Sequence, residues 1–163
     1  MRILTVRQPW AWAIIHGGKD VENRSTNIAG DYRGPVLIHA AKAYADDWQS
    51  QVLADLMNRH PGVHDEPQPW HDHAGEIIGV VDLVDVHVAR ATASGVLVDY
   101  AEHTKAGELC SPWAQPDVHH LVLANSRALV EPIPYTGALG LRDLAVRDPE
   151  VVLNITRQLG GSS

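Results

Sequence analysis

The chain has no phenylalanine and only one cysteine, Cys110, among its 163 residues. A single cysteine cannot form an intrachain disulfide, so a disulfide-stabilised secreted fold is not expected and a cytoplasmic location is. No apolar run is long enough to span a membrane, and we expect no membrane partner. The first residues also do not resemble a secretory signal, because Arg7 and Gln8 interrupt their short apolar stretch.

An overall excess of positive charge is also missing. The formal net charge is −7, which is a poor match for sequence-independent binding of long duplexes. The bases nevertheless concentrate near the start, where residues 1–42 hold six of the 13 Lys and Arg but only three of the 20 acids. A basic site on an acidic body suits a small anionic ligand, a nucleoside or a short single strand. The alternative is that these charges only solvate strand ends.

The length and the 45% hydrophobic content predict one domain with one core. The first half predicts strands over 2–6, 20–25 and 35–40, a helix from Gln8-Pro9 to Gly17-Gly18, an amphipathic helix over 44–59 and a long polar loop over 60–75. The second half predicts strands over 76–89, 119–123 and 135–144, a turn over 124–128, and a helix over 151–159. Gly79 is expected to bend its strand.

Curved strands with helices outside them predict an α+β fold, a small mixed curved β-barrel with two to four peripheral helices. We assign residues 1–147 to this domain. Residues 148–163 are expected to form a C-terminal helix and tail packed on the same domain.

The aromatic side chains are mostly tryptophan, with five Trp and four Tyr. These rings carry a polar group on a flat apolar face, so they suit half-wet sites and base stacking. Core positions are expected for Trp12, Trp48 and Tyr44. A ligand face is expected for Trp10, Trp70 and Trp113, each of which lies next to proline or polar residues in a predicted turn or loop.

Lys19 and Glu22 are the candidate catalytic pair. Lys19 follows the glycine pair, and strand alternation places Glu22 and Arg24 on one face of the next strand. A lysine beside a carboxylate acts as a base when desolvation or a like charge weakens its affinity for protons. The alternative is a modest ion pair that orients a loop.

The ten histidines raise the question of a metal site. Neither His71-Asp-His73 nor His119-His120 has the spacing of a closed zinc site, and Cys110 has no cysteine partner, so no metal and no cofactor are expected. On a strand the adjacent histidines face opposite sides, and we expect His120 to line the cleft. Cys110 is either a nucleophile paired with one of these histidines or a small buried residue.

Three segments near the start carry a family resemblance. The stretches LTVRQPW, GGKxxExR and YRGPVLIHAAK, within residues 4–42, resemble the ASCH domain, a member of the PUA-like superfamily of small pseudo-barrels. Segments at 75–81, 111–113, 119–121 and 137–141 are similar to the later strands of the family, so the resemblance covers about residues 3–144. It implies an RNA-related cleft, because related superfamily members hold a single, often modified, base in a barrel pocket. The polar signature of the family falls on Arg7, Gln8, Lys19, Glu22, Arg24, Arg33, His39 and Lys42.

The resemblance also implies possible activities. Some proteins of this kind are amidohydrolases that remove the acyl group from an N4-acylated cytidine with a Lys, a Thr three residues later and a Glu. Ribonuclease activity has also been attributed to family members. This chain has Lys19, but Glu22 stands where that Thr would be, so the presumed hydroxyl nucleophile is missing.

Our first hypothesis is therefore a monomer or weak dimer that binds RNA or a modified nucleoside in a basic cleft. The expected ligand contacts are Arg7, Gln8, Trp10, Arg24, Arg33, His39, Lys42, Trp70, Trp113 and His120. The alternative is a small hydrolase, similar to an N4-acylcytidine amidohydrolase or a ribonuclease, that uses Lys19 and Glu22. A third hypothesis is a protein-interaction module that uses the loop over 60–75.

Overall fold

The computed structural model describes residues 1–45, 54–55, 58, 69–101, 104–105 and 107–160. The strands are β1 (Arg2–Gln8), β2 (Val21–Arg24), β3 (Gly34–Tyr44), β4 (Glu76–Ala91), β5 (Leu97–Asp99), β6 (His119–Pro134) and β7 (Leu141–Asp143). The helices with full bounds are α1 (Trp10–His16) and α2 (Pro149–Gly160). The predicted α+β class is confirmed.

The strands form one sheet in the order β2-β6-β4-β3-β1-β7, and β5 pairs with β4. Only β1 and β3 pair in parallel; the other described strand pairs are antiparallel. Within the described part of the chain the end strands β2 and β7 do not pair, so the predicted closed barrel is not confirmed. The reason lies in β7, which covers β1 only from Arg2 to Leu4 and leaves the outer edge from Thr5 onward without a strand partner.

Helix α1 begins and ends where the sequence predicts. The Gln8 side chain accepts a hydrogen bond from the backbone N–H of Trp12, which satisfies a donor that the first turn leaves without a helical partner. At the other end, the N–H of Gly17 donates to Ala13, and Gly18 has a φ of 69°, a conformation that glycine adopts without strain.

The predicted bend at Gly79 is confirmed. The pairing of β4 with β6 shifts register between Ile77 and Gly79. A Cβ atom at position 79 would lie 2.6 Å from Cδ1 of Ile15 and 2.7 Å from the backbone oxygen of Arg127. Only glycine therefore lets α1 and β6 approach β4 this closely.

Three predicted boundaries are wrong. The turn predicted over 124–128 is part of β6, whose irregular pairing includes Asn125 at a φ of 52°, so polar residues at a bulge resembled a turn. The strand predicted over 135–144 shortens to β7. Tyr44 ends β3 and is 42% exposed, so it neither opens a helix nor belongs to the core. Most of the predicted 44–59 helix, Trp48, and residues 60–68 of the predicted loop lie outside the described residues.

The core has two main parts on opposite sides of the sheet strands. One part packs α1 on β1, β3, β4 and β6, with Ile14, Ile38 and Val81 among its buried residues. The other packs α2 on the same strands through Ile155, which is fully buried near Leu37. No helix in the described ranges is long and apolar enough to cross a lipid bilayer.

Candidate functional site

A cavity of about 980 Å³ lies between β1 and β2, at the gap in the sheet. Cavities of roughly 300–1,000 Å³ are typical of small-molecule sites. Its wall comes from the end of β1, the start of α1, residues 19–24, the second half of β3, and the segments 113–115 and 135–140. Eight predicted site residues line it: Arg7, Trp10, Lys19, Glu22, Arg24, His39, Lys42 and Trp113.

The charge of this wall is strongly positive for so acidic a chain. Arg7, Lys19, Arg24 and Lys42 supply four cations, and Glu22 is the one carboxylate among the described lining residues, which leaves a balance of +3. Arg7 and Lys42 are exposed, whereas Lys19 and Glu22 are buried. The cavity thus has exposed cations at its rim and buried charges at its base.

The charges at the base form a triad. Nζ of Lys19 lies 2.9 Å from Oε2 of Glu22, and Nη2 of Arg24 lies 3.0 Å from Oε1 of the same carboxylate. Lys19 also donates to the backbone oxygen of Val21, and Arg24 donates to that of Thr5 at 2.9 Å. Buried ion pairs contribute little net stability, because desolvation offsets their attraction. Their position in a cavity therefore favours a role in binding or chemistry.

The aromatic part of the wall is a tryptophan pair. Trp10 and Trp113 lie edge to face, with ring centroids 6.4 Å apart and planes at 76°. Asn23 fixes the loop that carries Trp113, because it donates to the Trp113 carbonyl at 2.8 Å and accepts from the N–H of Gln115 at 3.0 Å. Trp113 is 8% exposed and packs in a core cluster, so Trp10, which is only partly buried, offers the larger part of the flat apolar surface on which a base can stack.

His39 lies at the opposite wall. Its Nε2 is 3.0 Å from the carbonyl of Tyr135, and no partner for its buried Nδ1 occurs among the described residues. Burial lowers the pKa of His39 below its ordinary value of 6.5, although hydrogen bonding to the backbone of Tyr135 and Gly75 opposes the shift. Gly137 packs against this ring, and a Cβ at position 137 would lie 2.6 Å from its Cε1.

This shift predicts a pH dependence of stability. Because the folded chain binds a proton at His39 less readily than the unfolded chain, the unfolding free energy is expected to fall as the pH drops below 6.5 and to level off below the folded-state pKa. Urea denaturation between about pH 7.5 and pH 5 measures this slope. His16, whose pKa burial and the charge of His73 also lower, contributes to the same slope, so His39→Gln should reduce the slope without abolishing it, whereas replacing the exposed His71 with Gln should leave it unchanged. Equal slopes in wild type and His39→Gln would contradict the assignment.

Two predicted ligand residues instead support the wall from behind. Gln8 is 1% exposed. Its side-chain oxygen accepts from the N–H of Trp12 in α1, and its side-chain nitrogen donates to the carbonyl of Trp70 at 3.0 Å. Trp70 itself is buried and packs edge to face on Trp12, with ring centroids 5.8 Å apart. Neither residue lines the cavity, because hydrogen bonds hold Gln8 inside the fold and Trp70 packs on Trp12.

Two others lie elsewhere. Arg33 donates to the carbonyls of Gly30 and Tyr32 and lies 3.7 Å from Asp85, outside the cavity. His120 is fully buried on β6 and does not line the cavity, although its Nε2 lies 2.8 Å from the carbonyl of the wall residue Gln115. Neither residue lines the cavity, and a contact of either with a ligand stays a prediction.

The alternative of Cys110 as a nucleophile is not supported. Burial, hydrogen bonding to Asp99 and the negative charges of Asp99 and Asp20 raise the pKa of the Cys110 thiol to about 12. The thiol is therefore protonated at neutral pH, and a thiol is a poor nucleophile.

Sequence reasoning missed several lining residues. Thr5, Asn23 and Gln115 carry polar groups, and Tyr135 to Gly140 form one side of the opening. The only sequence signal for Asn23 was its position in a predicted strand, on the face opposite to Glu22 and Arg24. Thr5 belongs to a predicted strand and to the segment LTVRQPW, but nothing in the sequence indicates that its carbonyl lies at the sheet gap.

The geometry defines an α+β domain with a cationic, tryptophan-lined cavity at the gap of an open sheet. Residues 4–133 match the ASCH domain, so the chain belongs to the ASCH domain family, a PUA-like family often linked to RNA binding. No curated protein sequence matches the chain.

Proposed function

We propose that this ASCH domain binds a short single-stranded RNA segment or a modified nucleoside in the cavity between β1 and β2. The observation that carries the proposal is the convergence of four cationic side chains and two tryptophans on one cavity of an otherwise acidic chain. Single-strand binders combine cationic contacts to phosphate with aromatic rings that stack on bases.

The depth of each group supports a division of roles. Arg7 and Lys42 are exposed at the rim and suit phosphate contacts, which position a strand without reading its sequence. Lys19 and Glu22 lie deeper and offer a donor and an acceptor to the edge of a base. The described contacts use two of the three N–H groups of Lys19, so the third is available to a ligand.

Lys42→Ala is expected to weaken RNA binding. The described contacts give the Lys42 ammonium no ion pair, so its removal takes away a phosphate contact without breaking a network. For single strands each neutralised phosphate contributes about −0.7 to the slope of log K against log salt concentration, so the slope should become shallower by about 0.7. Fluorescence anisotropy of a labelled short RNA at several salt concentrations measures both effects.

The matched control is Lys105→Ala, which removes an exposed lysine outside the cavity wall. It should change neither the affinity nor the salt slope. Equal losses in both variants would mean that RNA contacts the general surface, and an affinity independent of salt would contradict phosphate binding.

A second candidate function is hydrolysis of an N4-acylated cytidine or of RNA. The buried 2.9 Å contact of Lys19 with Glu22 favours it, because a carboxylate and an ammonium together can activate water and stabilise developing negative charge. Both oxygens of Glu22 already accept from cations, however, so proton abstraction requires one contact to open. Product formation from N4-acetylcytidine or RNA in wild type, lost in Lys19→Met, identifies an enzyme; binding without turnover identifies a binder.

A further inference from the structure

A second cluster of reactive side chains lies apart from the cavity. The cluster consists of His87 on β4, Asp99 at the end of β5, Cys110 in the segment before β6, and His120 on β6. Each side chain presents one possible metal-ligating atom, and these four atoms lie within 4.8 Å of one another. The side chains of Asp99 and His120 are fully buried, and that of His87 is 7% exposed. The backbone brings them together, because His87 pairs with His120 across β4 and β6 and Ala89 pairs with Asp99 across β4 and β5.

The outward nitrogen of each histidine is already bonded to an acceptor. Nδ1 of His87 lies 2.8 Å from Oδ2 of Asp85, and Nε2 of His120 lies 2.8 Å from the carbonyl of Gln115. Carboxylate and carbonyl oxygens only accept, so both outward nitrogens carry hydrogen. In the neutral rings, Nε2 of His87 and Nδ1 of His120 therefore present lone pairs to the centre of the cluster.

At the centre of the cluster, the lone pairs of the two inward histidine nitrogens then face the carboxylate oxygens of Asp99, and all of these atoms are hydrogen-bond acceptors. Nε2 of His87 lies 3.0 Å from Oδ1 of Asp99, and Nδ1 of His120 lies 3.3 Å from Oδ2 of Asp99. The two inward nitrogens are 3.3 Å apart, and Sγ of Cys110 is 3.3 Å from Nδ1 of His120. Among the four side chains only the thiol proton is available when the rings are neutral, although the two oxygens of Asp99 also accept from the backbone N–H groups of Ala101 and Cys110. A cation at the centre would satisfy all of these acceptors.

The geometry points to a tetrahedral zinc site, and we propose that His87, Asp99, Cys110 and His120 bind one Zn²⁺. Metal–ligand distances of about 2.0–2.3 Å place tetrahedral ligand atoms about 3.3–3.7 Å apart. Three of the four contacts above are 3.3 Å and one is 3.0 Å, but they involve both oxygens of Asp99, and one atom from each residue gives a set that lies within 4.8 Å, so binding would draw the ligands together. A sulfur, nitrogen and oxygen set suits Zn²⁺. Thiolate and carboxylate balance the charge of the ion, and the thiol proton leaves to solvent on binding.

Outer partners of the type found around zinc histidines are also present. Asp85 and the Gln115 carbonyl fix the two rings, as a carboxylate and a backbone oxygen do in such sites. The absence of a conventional spacing is explained by topology, since the ligands come from four separate segments. The ion would tie Cys110 and its loop to β4 and β6, and the same loop continues to Trp113 and Gln115 in the cavity wall. We therefore assign it a structural role.

Cobalt titration of the reduced, chelator-treated full chain tests the site. Wild type should bind one equivalent of Co²⁺ with the visible bands of tetrahedral cobalt and a thiolate-to-cobalt charge-transfer band, and Zn²⁺ should displace it. Cys110→Ser should lose the charge-transfer band. Asp85→Ala changes only an exposed outer partner and should weaken binding by about 10–100-fold. The control His71→Ala removes an exposed histidine and should bind like wild type.

Two results would overturn the proposal. One is a folded wild-type chain, verified by circular dichroism, that takes up no stoichiometric Co²⁺ or Zn²⁺. The other is a cobalt spectrum and affinity that are the same in wild type, Cys110→Ser and Asp85→Ala, which would place the metal elsewhere. A change in melting temperature of the variants without metal uptake by wild type would identify the cluster as a hydrogen-bonded network only.

Discussion

Glu22→Gln is expected to lower the unfolding free energy by about 3 kcal/mol, because it leaves the buried Lys19 ammonium and the Arg24 guanidinium without their shared counter-ion. For a domain of this size the melting temperature should fall by about 6–12 °C. The substitution keeps the shape of the side chain, so the loss reports charge. Thermal and urea denaturation of the two proteins measure the difference.

The exposed ion pair of Asp82 with Arg127 is the matched control. Its distance, 2.9 Å, equals that of Lys19 with Glu22, but its side chains are 30% and 44% exposed. Asp82→Asn should therefore cost no more than about 1 kcal/mol. The double variant Lys19→Met with Glu22→Gln should recover part of the loss, since it removes the uncompensated ammonium. A Glu22→Gln protein as stable as Asp82→Asn would disprove that the triad is desolvated.

Gly79→Ala is expected to destabilise the fold by about 3 kcal/mol through overpacking. The added methyl group would meet the Arg127 backbone oxygen at 2.7 Å and the Ile15 side chain at 2.6 Å. The side chain of Ile15 can turn aside, but the backbone of β6 is held by its pairing with β4. The measurement is the midpoint of denaturant unfolding at constant m-value.

Gly160→Ala provides the comparison at a position where space is open. Apart from its chain neighbours and the backbone of its own helix, no atom of the described residues lies within 4 Å of a Cβ built there, and the residue ends α2. Alanine has the higher helix propensity, so this variant should be neutral or slightly more stable. If Gly79→Ala matched it, the close approach of β4 and β6 would not constrain the fold.

Local sequence patterns predicted most elements but not how they end and join. The helix after Gln8-Pro9, the strand over 76–89 and the C-terminal helix all have counterparts at nearly the predicted bounds. The errors occur where the pairing of strands differs from what the local sequence pattern predicts. In β6, polar residues form an irregularity in the pairing with β4, and the strand continues through the predicted turn. Closure of the sheet depends on the length of β7, which no local pattern encodes.

The sequence predicted the site residues that are charged and lie close to the ends of strands. It did not predict which polar residues are buried inside the fold and therefore do not line the cavity. Arg7 and Lys42 lie near the ends of the parallel strands β1 and β3, and Lys19 lies just before the first residue of β2; all three line one cavity. Gln8 has the same polar character but is used inside the fold by α1 and Trp70. The cluster of His87 with Asp99 was invisible to spacing rules, because β-pairing brings residues of separate segments together.

The Arg24 guanidinium spans the sheet gap, since it reaches the Thr5 carbonyl on β1 from β2. A side chain, rather than a ladder of backbone hydrogen bonds, therefore holds these two strands at their working separation. Because this link is a single side-chain hydrogen bond, its loss would leave the backbone pairing of β1 with β3 and of β2 with β6 intact. Occupancy of the gap would then slow amide hydrogen exchange on β1 and β2 together, while β4, paired on both sides, would keep its protection unchanged.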